Sequence, residues 1–341
     1  MNRKWLSLRI FVPVFGCLIV GAAGMLHAQT QSMNTNQAPG GLRYLEPGQP
    51  PVMIHPTIPM VAKAAKGSHG HGGGGGSTSN NLYYHGGTGG IGVETAPTVY
   101  LVLWGSQWVN NDPSGEAGIL ESFLGGVFGS SWNNTVTQYC QGVASGTYFC
   151  NGAGYPAGNK NGVYGGVWAD TSSPAPSRPS QSQLAAEAVN AAAHFKNTSA
   201  SSNASVQYVI ATSHGNNASG FGTQYCAWHS STSSTYGNVA YTNLPYITDA
   251  GASCGANFNG LGPNAGITIV EGHEMAETET DQFPSGGWLD ANGSEIGDKC
   301  AWISSGQGAS ADVTFATGTF PVQSLWSNAF NSGAGGCVLS Y

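Results

Sequence analysis

The run TVYLVLW, Thr98–Trp104, limits the fold more than any other part of the chain. A nearly unbroken series of apolar, β-branched and aromatic residues has no polar face to show water, so it reads as a strand buried on both sides. VQYVIAT (206–212) has the same character, and GVYGGVWA (162–169) reads as a further strand. Helical patterns separate them. In SGEAGILESFLGGVF (114–128), Leu120, Phe123, Leu124 and Val127 recur at helical spacing behind Ser114, the expected N-cap. SQSQLAAEAVNAAAHF (180–195) is Ala-rich and opens on Ser. This alternation defines an α/β class: one large domain with a mixed, partly parallel sheet. ADVTFA, FPVQSLW and GCVLSY near the C-terminus read as short antiparallel strands.

Residues 1–28 have the layout of a secretory signal peptide, with three basic residues, an apolar run from Ile10 to about Leu26, and a cleavage point after Ala28. An uncleaved anchor is the competing reading, because the run is about long enough to span a bilayer. From Gln29 to Asn81 the chain is rich in Pro, Gly and Asn and ends in KGSHGHGGGGGSTSNN, which reads as a pro-region or linker. The folded domain is therefore expected over 82–341.

Six cysteines follow the leader: Cys140, Cys150, Cys226, Cys254, Cys300 and Cys337. An even number in an exported chain implies three disulfides, with Cys140–Cys150 the simplest pair because its loop is short. The formal charge is −7 and there is no basic stripe, which excludes nucleic acid as a partner. The expected product is a secreted monomer that does not engage the membrane once its leader is removed.

The chain has 17 acidic residues, and eight of them lie in VEGHEMAETETDQFPSGGWLDANGSEIGDKC (270–300). The first half reads as a helix entered near Asn264 and ended before Pro284. One turn separates His273 from Glu277 on one face, with Asp281 a turn further on. This is the H-E-x-x-H metallopeptidase arrangement with Glu in place of the second His. His273 and Glu277 are candidate ligands, and Glu274 is the candidate general base, catalytic in taking a proton from zinc-activated water. Gly272 within the helix implies close packing or another local demand. A solvated acidic helix face is the alternative.

WLDANGSEI carries an Asn-Gly turn signal, so a two-residue hairpin is expected, with Asp290 facing Glu295. Like charges so placed repel unless a cation lies between them. Glu295 or Asp298 is the expected third ligand, with Asp290 and Asp281 in the surrounding cleft. Zinc is the expected metal. Calcium is the alternative, since DANGSE resembles part of a calcium loop without the full EF-hand spacing.

His214, after the strand VQYVIAT, and His229, on a loop beside Cys226, are candidates for the cleft or for supporting the ligands. A cysteine-peptidase pairing of His214 with Cys254 is disfavoured, because Cys254 is needed for the even cysteine count.

YYHGGTGGIGVETAPTVYLVLWGSQW resembles the opening of the EXORDIUM/phosphate-induced-protein family of secreted proteins. QYCAWHS, GHEMAETETDQFPSGGWLDANGSEIGDKC and FPVQSLWSNAFNSGAGGC are similar to bacterial secreted relatives with an HExxE helix and a GWxDxxGxEIGDxC hairpin. The resemblance covers about residues 83–341, with Asp281-Gln282 standing where relatives often have Asp-Pro. Plant members generally lack the His-Glu pair, so their growth-related roles are not carried over. It implies a secreted protein with a zincin-like centre. Together these readings lead to a zinc metallopeptidase acting on extracellular protein or peptide. The alternative is a non-enzymatic extracellular or wall-associated protein with a structural metal.

Overall fold

The computed structural model describes residues 39–67 and 80–341. The leader and the glycine tract lie outside the described residues, and among the described residues no helix is long and apolar enough to cross a membrane. In chain order the elements are β1 (Gly41–Arg43), β2 (Val52–His55), α1 (Ile58–Gly67), β3 (Tyr83–Tyr84), β4 (Thr98–Trp104), α2 (Glu116–Val127), β5 (Cys140–Gln141), β6 (Tyr155–Pro156), β7 (Val163–Asp170) and α3 (Gln181–His194). They continue with β8 (Val206–Thr212), β9 (Ala227–Ser234), β10 (Gly237–Leu244), α4 (Ala265–Thr280), β11 (Trp288–Leu289), β12 (Ala311–Phe315), β13 (Gly318–Val322), β14 (Leu325–Ser327) and β15 (Gly336–Val338).

The main sheet has seven strands in the order β1-β2-β9-β10-β8-β4-β7. Its β10, β8, β4 and β7 run parallel to one another, as the βαβ alternation requires. The other half, β1-β2-β9-β10, is antiparallel. The four C-terminal strands form antiparallel pairs, β12 with β13 and β14 with β15, as expected.

Strand alternation divides the core between the two faces of the sheet. Leu101 and Leu103 of β4 and Val209 of β8 pack with Phe123 and Leu124 of α2 and with Ile269 and Met275 of α4. Val102, Tyr208 and Ile210 point the other way, against Leu184, Ala188 and Ala191 of α3. The result is three layers, with α4 held under the sheet. Ser180 caps α3 in a reciprocal capping box with Gln183. Ser114 does not cap α2: Gly115 occupies that position, and the Asp112 carboxylate accepts the Glu116 and Ala117 amides at 2.7 and 3.2 Å.

The folded body does not start at Leu82. Residues 52–55 form a strand between β1 and β9, and Val52, Met53 and Ile54 are at most 2% exposed. The Val52 and Ile54 side chains complete the sheet surface beside Trp228 and Tyr241. The segment expected to be a pro-region or linker thus supplies part of the core, because a short apolar run gains most by pairing with the open edge of β9.

Three disulfides are present, Cys140–Cys150, Cys226–Cys254 and Cys300–Cys337. Cys254 is therefore no free nucleophile.

Candidate metal centre

Every residue of α4 from Ala265 to Thr280 is buried, including Glu271, Glu274, Glu277 and Glu279. The solvated-face alternative fails on this point. Asn264 is the N-cap and the helix closes at Asp281, within the expected bounds. Gly272 faces Phe123 and Trp132, where a Cβ would sit 3.1 and 3.2 Å from their rings. That contact seats the helix and turns its opposite face, bearing His273 and Glu277, to the centre.

His273 Nε2 lies 3.0 Å from Glu277 Oε1 and 4.0 Å from Asp298 Oδ1. On the sheet side, His229 Nε2 lies 3.1 Å from Glu295 Oε2 and 3.7 Å from Glu277 Oε2. Among the described residues two groups can therefore hold a metal ion, His273–Glu277–Asp298 and His229–Glu277–Glu295, with the donor atoms of each within 4.8 Å of one another. Both candidate third ligands converge on the helix, one in each group.

His229 lies on strand β9 rather than on a loop. Its neighbour Trp228 points to the α3 side, so period-two alternation sends His229 toward α4. The same alternation on β2 puts Val52 and Ile54 on the α3 side and His55 on the α4 side. His55 stacks on His273 with ring centroids 4.0 Å apart, and neither of its nitrogens has a hydrogen-bond partner. His55 is not among the candidates the sequence offers, because its segment reads as linker. The available signal was VMIH between prolines, a short apolar run ending in a histidine.

Gln323, also missed, orients His273. Its Nε2 donates to the Gly297 and Ser324 carbonyls at 2.9 and 3.2 Å, which leaves Oε1 to face His273 Nδ1 at 3.2 Å. Nδ1 then carries the proton and the Nε2 lone pair faces the carboxylates, the tautomer a metal ligand requires. Nothing in the local sequence around residue 323 announces this role.

The expected Asp290–Glu295 hairpin does not form. β11 ends at Leu289 and pairs with β3, and residues 290–294 close a tight loop. Gly293 takes a positive φ of 78° there, and Asp290 Oδ1 accepts the Asn292 and Ser294 amides. Asp290 Oδ2 is bound by Lys299 at 2.7 Å. The carboxylate is fully partnered within its own turn, so it neither opposes Glu295 nor offers a calcium loop. Asp281 accepts the amides of Ser285, Gly286 and Gly287 and serves as a backbone cap beside Glu295. His214 belongs to neither group: it is 49% exposed and paired with Asp249.

The electrostatics are those of a site built around positive charge. Burial first, then the neighbouring Glu277, drives Glu274 and Glu295 far above the usual carboxylate range. The same two causes move Asp298 to about 8. Burial lowers His229 to about 4 despite the opposing pull of Glu277. For His273, burial is outweighed by Glu277 and Asp298 and the ring is raised. Buried carboxylates in such numbers are costly without cations to compensate them.

The fold and this centre together define a disulfide-bonded α/β protein with a buried His/carboxylate site able to hold metal. The chain matches no protein-family model, no curated protein and no solved structure, so a functional reading rests on the site itself.

Proposed function

We propose that the protein is a secreted, zinc-dependent hydrolase, a metallopeptidase acting on extracellular protein or peptide. One observation carries the reading. The HExxE helix sets His273 Nε2 and Glu277 Oε1 3.0 Å apart beside Asp298, while both oxygens of the adjacent Glu274 are without hydrogen-bond partners. Zinc, when bound in such a set, supplies Lewis acidity and brings the pKa of a water molecule toward neutrality.

Glu274, coupled to Glu277 and Asp298 and close to the His55 backbone amide, is assigned the proton-accepting role. Gln323 holds His273 in its ligating tautomer, and Trp302, stacked on His55 at 4.9 Å, extends the ring stack behind His273. Secretion is supported by the leader-like N-terminus and by three disulfides, which persist in oxidising compartments. The likeness to bacterial secreted relatives of the EXORDIUM family is part of the same proposal.

A structural ion in a non-enzymatic extracellular protein is the second reading, favoured by the complete burial of His229, His273, Glu274, Glu277 and Glu295. Glu274→Gln separates the two. In zinc-loaded protein assayed on denatured protein and peptide-library substrates, the exchange should abolish cleavage while zinc content and melting temperature hold. Cleavage that survives the exchange removes the general-base assignment. Absence of cleavage by the unmodified zinc-loaded chain favours the structural ion.

A further inference from the structure

We propose that the centre binds two divalent cations, bridged by the Glu277 carboxylate. This rests on the reading that the site holds metal, and it concerns how many ions and on which atoms.

Glu277 divides its two oxygens. Oε1 faces His273 Nε2 at 3.0 Å, and Oε2 faces His229 Nε2 at 3.7 Å. Glu277 is the single residue shared by the two donor groups; His229 and His273 never fall in the same one. Among the described residues no set of donor atoms within 4.8 Å of one another holds both histidines, so an ion seated among His273, Glu277 and Asp298 leaves the His229–Glu295 pair to a second ion. A bridging carboxylate with one histidine and one further acid on each side is a dinuclear pattern, in which the ions lie about 3.5–4 Å apart.

Unsatisfied atoms mark the same two places. Asp298 Oδ1 on one side, and Glu277 Oε2 and Glu295 Oε1 on the other, are buried without hydrogen-bond partners, and His273 Nε2 has the Glu277 carboxylate at 3.0 Å, a contact that lacks a donor when Nδ1 carries the proton. Buried polar atoms of native proteins are nearly always partnered, so these atoms, all on residues of the two donor groups, point to ligands that the chain itself does not supply. His55 adds independent weight: a wholly buried imidazole against His273, with neither nitrogen partnered.

Charge points in the same direction. Glu271, Glu274, Glu277, Asp281 and Glu295 are 0% exposed, and the Asp298 side chain is 2% exposed. Lys299 pairs with Asp290, and the Arg43 guanidinium acts electrostatically on Asp298. A single divalent cation offsets the ionised ligands of one group and leaves Glu295 repelled by Glu277. Two cations offset both groups and turn that repulsion into shared coordination.

The test uses the exported chain, stripped by chelator and titrated with zinc chloride alone, with bound zinc counted by elemental analysis and located by anomalous scattering. Two zinc ions per chain are expected, as two peaks flanking Glu277. His229→Ala and His273→Ala should each retain one ion, and Glu277→Gln should bind neither tightly. A single peak in the unmodified chain overturns the proposal whether or not the variants fold, and leaves the metal-centre reading intact. A single peak lost in both His229→Ala and His273→Ala would assign one mononuclear site to both histidines. No bound zinc removes the metal-centre reading itself, and the dinuclear proposal with it.

Discussion

Gln323 Oε1 faces His273 Nδ1 at 3.2 Å, while the Gln323 amide nitrogen is tied to two backbone carbonyls. The amide therefore cannot turn without losing both bonds, and the imidazole is held with its lone pair on Nε2. Outer partners of this kind set ligand affinity as strongly as many direct contacts do. Gln323→Ala is expected to weaken zinc binding about 10- to 100-fold, as read by calorimetric titration. Unchanged affinity with an intact fold would sink the positioning role.

Gly297 is required by space rather than by its backbone angle. A Cβ there would come within 2.6 Å of His273 Nδ1 and 2.9 Å of Glu277 Oε1. Gly297→Ala should displace one or both side chains, lower zinc affinity and destabilise the fold by about 1–3 kcal/mol through overpacking. Equilibrium unfolding with and without zinc measures both effects. A variant matching the parent in each would contradict the close packing.

If the centre holds metal as proposed, removing it should loosen the whole domain, because the candidate ligands come from β9, α4 and the segment after β11. A ligand at about 100 times its Kd adds roughly 2.7 kcal/mol to stability. Chelation is thus expected to lower the melting temperature by several degrees, with recovery on zinc addition. A melting temperature insensitive to both treatments argues against a filled centre.

Ile54 is 2% exposed within the second core cluster. Ile54→Ala should cost about 2–5 kcal/mol, the usual range for a buried aliphatic truncated in a well-packed site. A neutral result in urea unfolding would return residues 39–67 to the role of a spacer.

Glu116 lies outside the metal centre, and burial raises its carboxyl from 4.5 to about 8 even though it accepts the Ile247 amide. Between those values the folded state holds a proton that the unfolded state has released, so stability falls as pH rises from about 4.5 to about 8. Glu116→Gln keeps an acceptor for the amide and removes the titration. Its stability relative to the parent should therefore improve between pH 5 and pH 8, by up to a few kcal/mol. A parent–variant difference that stays constant across that range refutes the buried neutral acid.

Much of the fold is legible in short stretches. TVYLVLW, VQYVIAT and the Ala-rich helix fall within a residue or two of β4, β8 and α3, since hydrophobic runs and caps act locally. The His273–Glu277 pair is equally local, set by one turn of helix. The Asp290–Glu295 pairing failed because the turn chemistry of Asp290, with three nearby partners in two amides and Lys299, outweighed the hairpin signal.

The sequence by itself determined the α/β alternation, the acid-bearing helix and the identity of its two helical donors. Only the tertiary structure decided that β2 joins the sheet, that alternation on β2 and β9 turns His55 and His229 toward α4, and that Gln323 closes on His273. Those contacts link residues far apart in the chain. They depend on strand order and register, which the burial of the whole sheet selects and no single segment encodes.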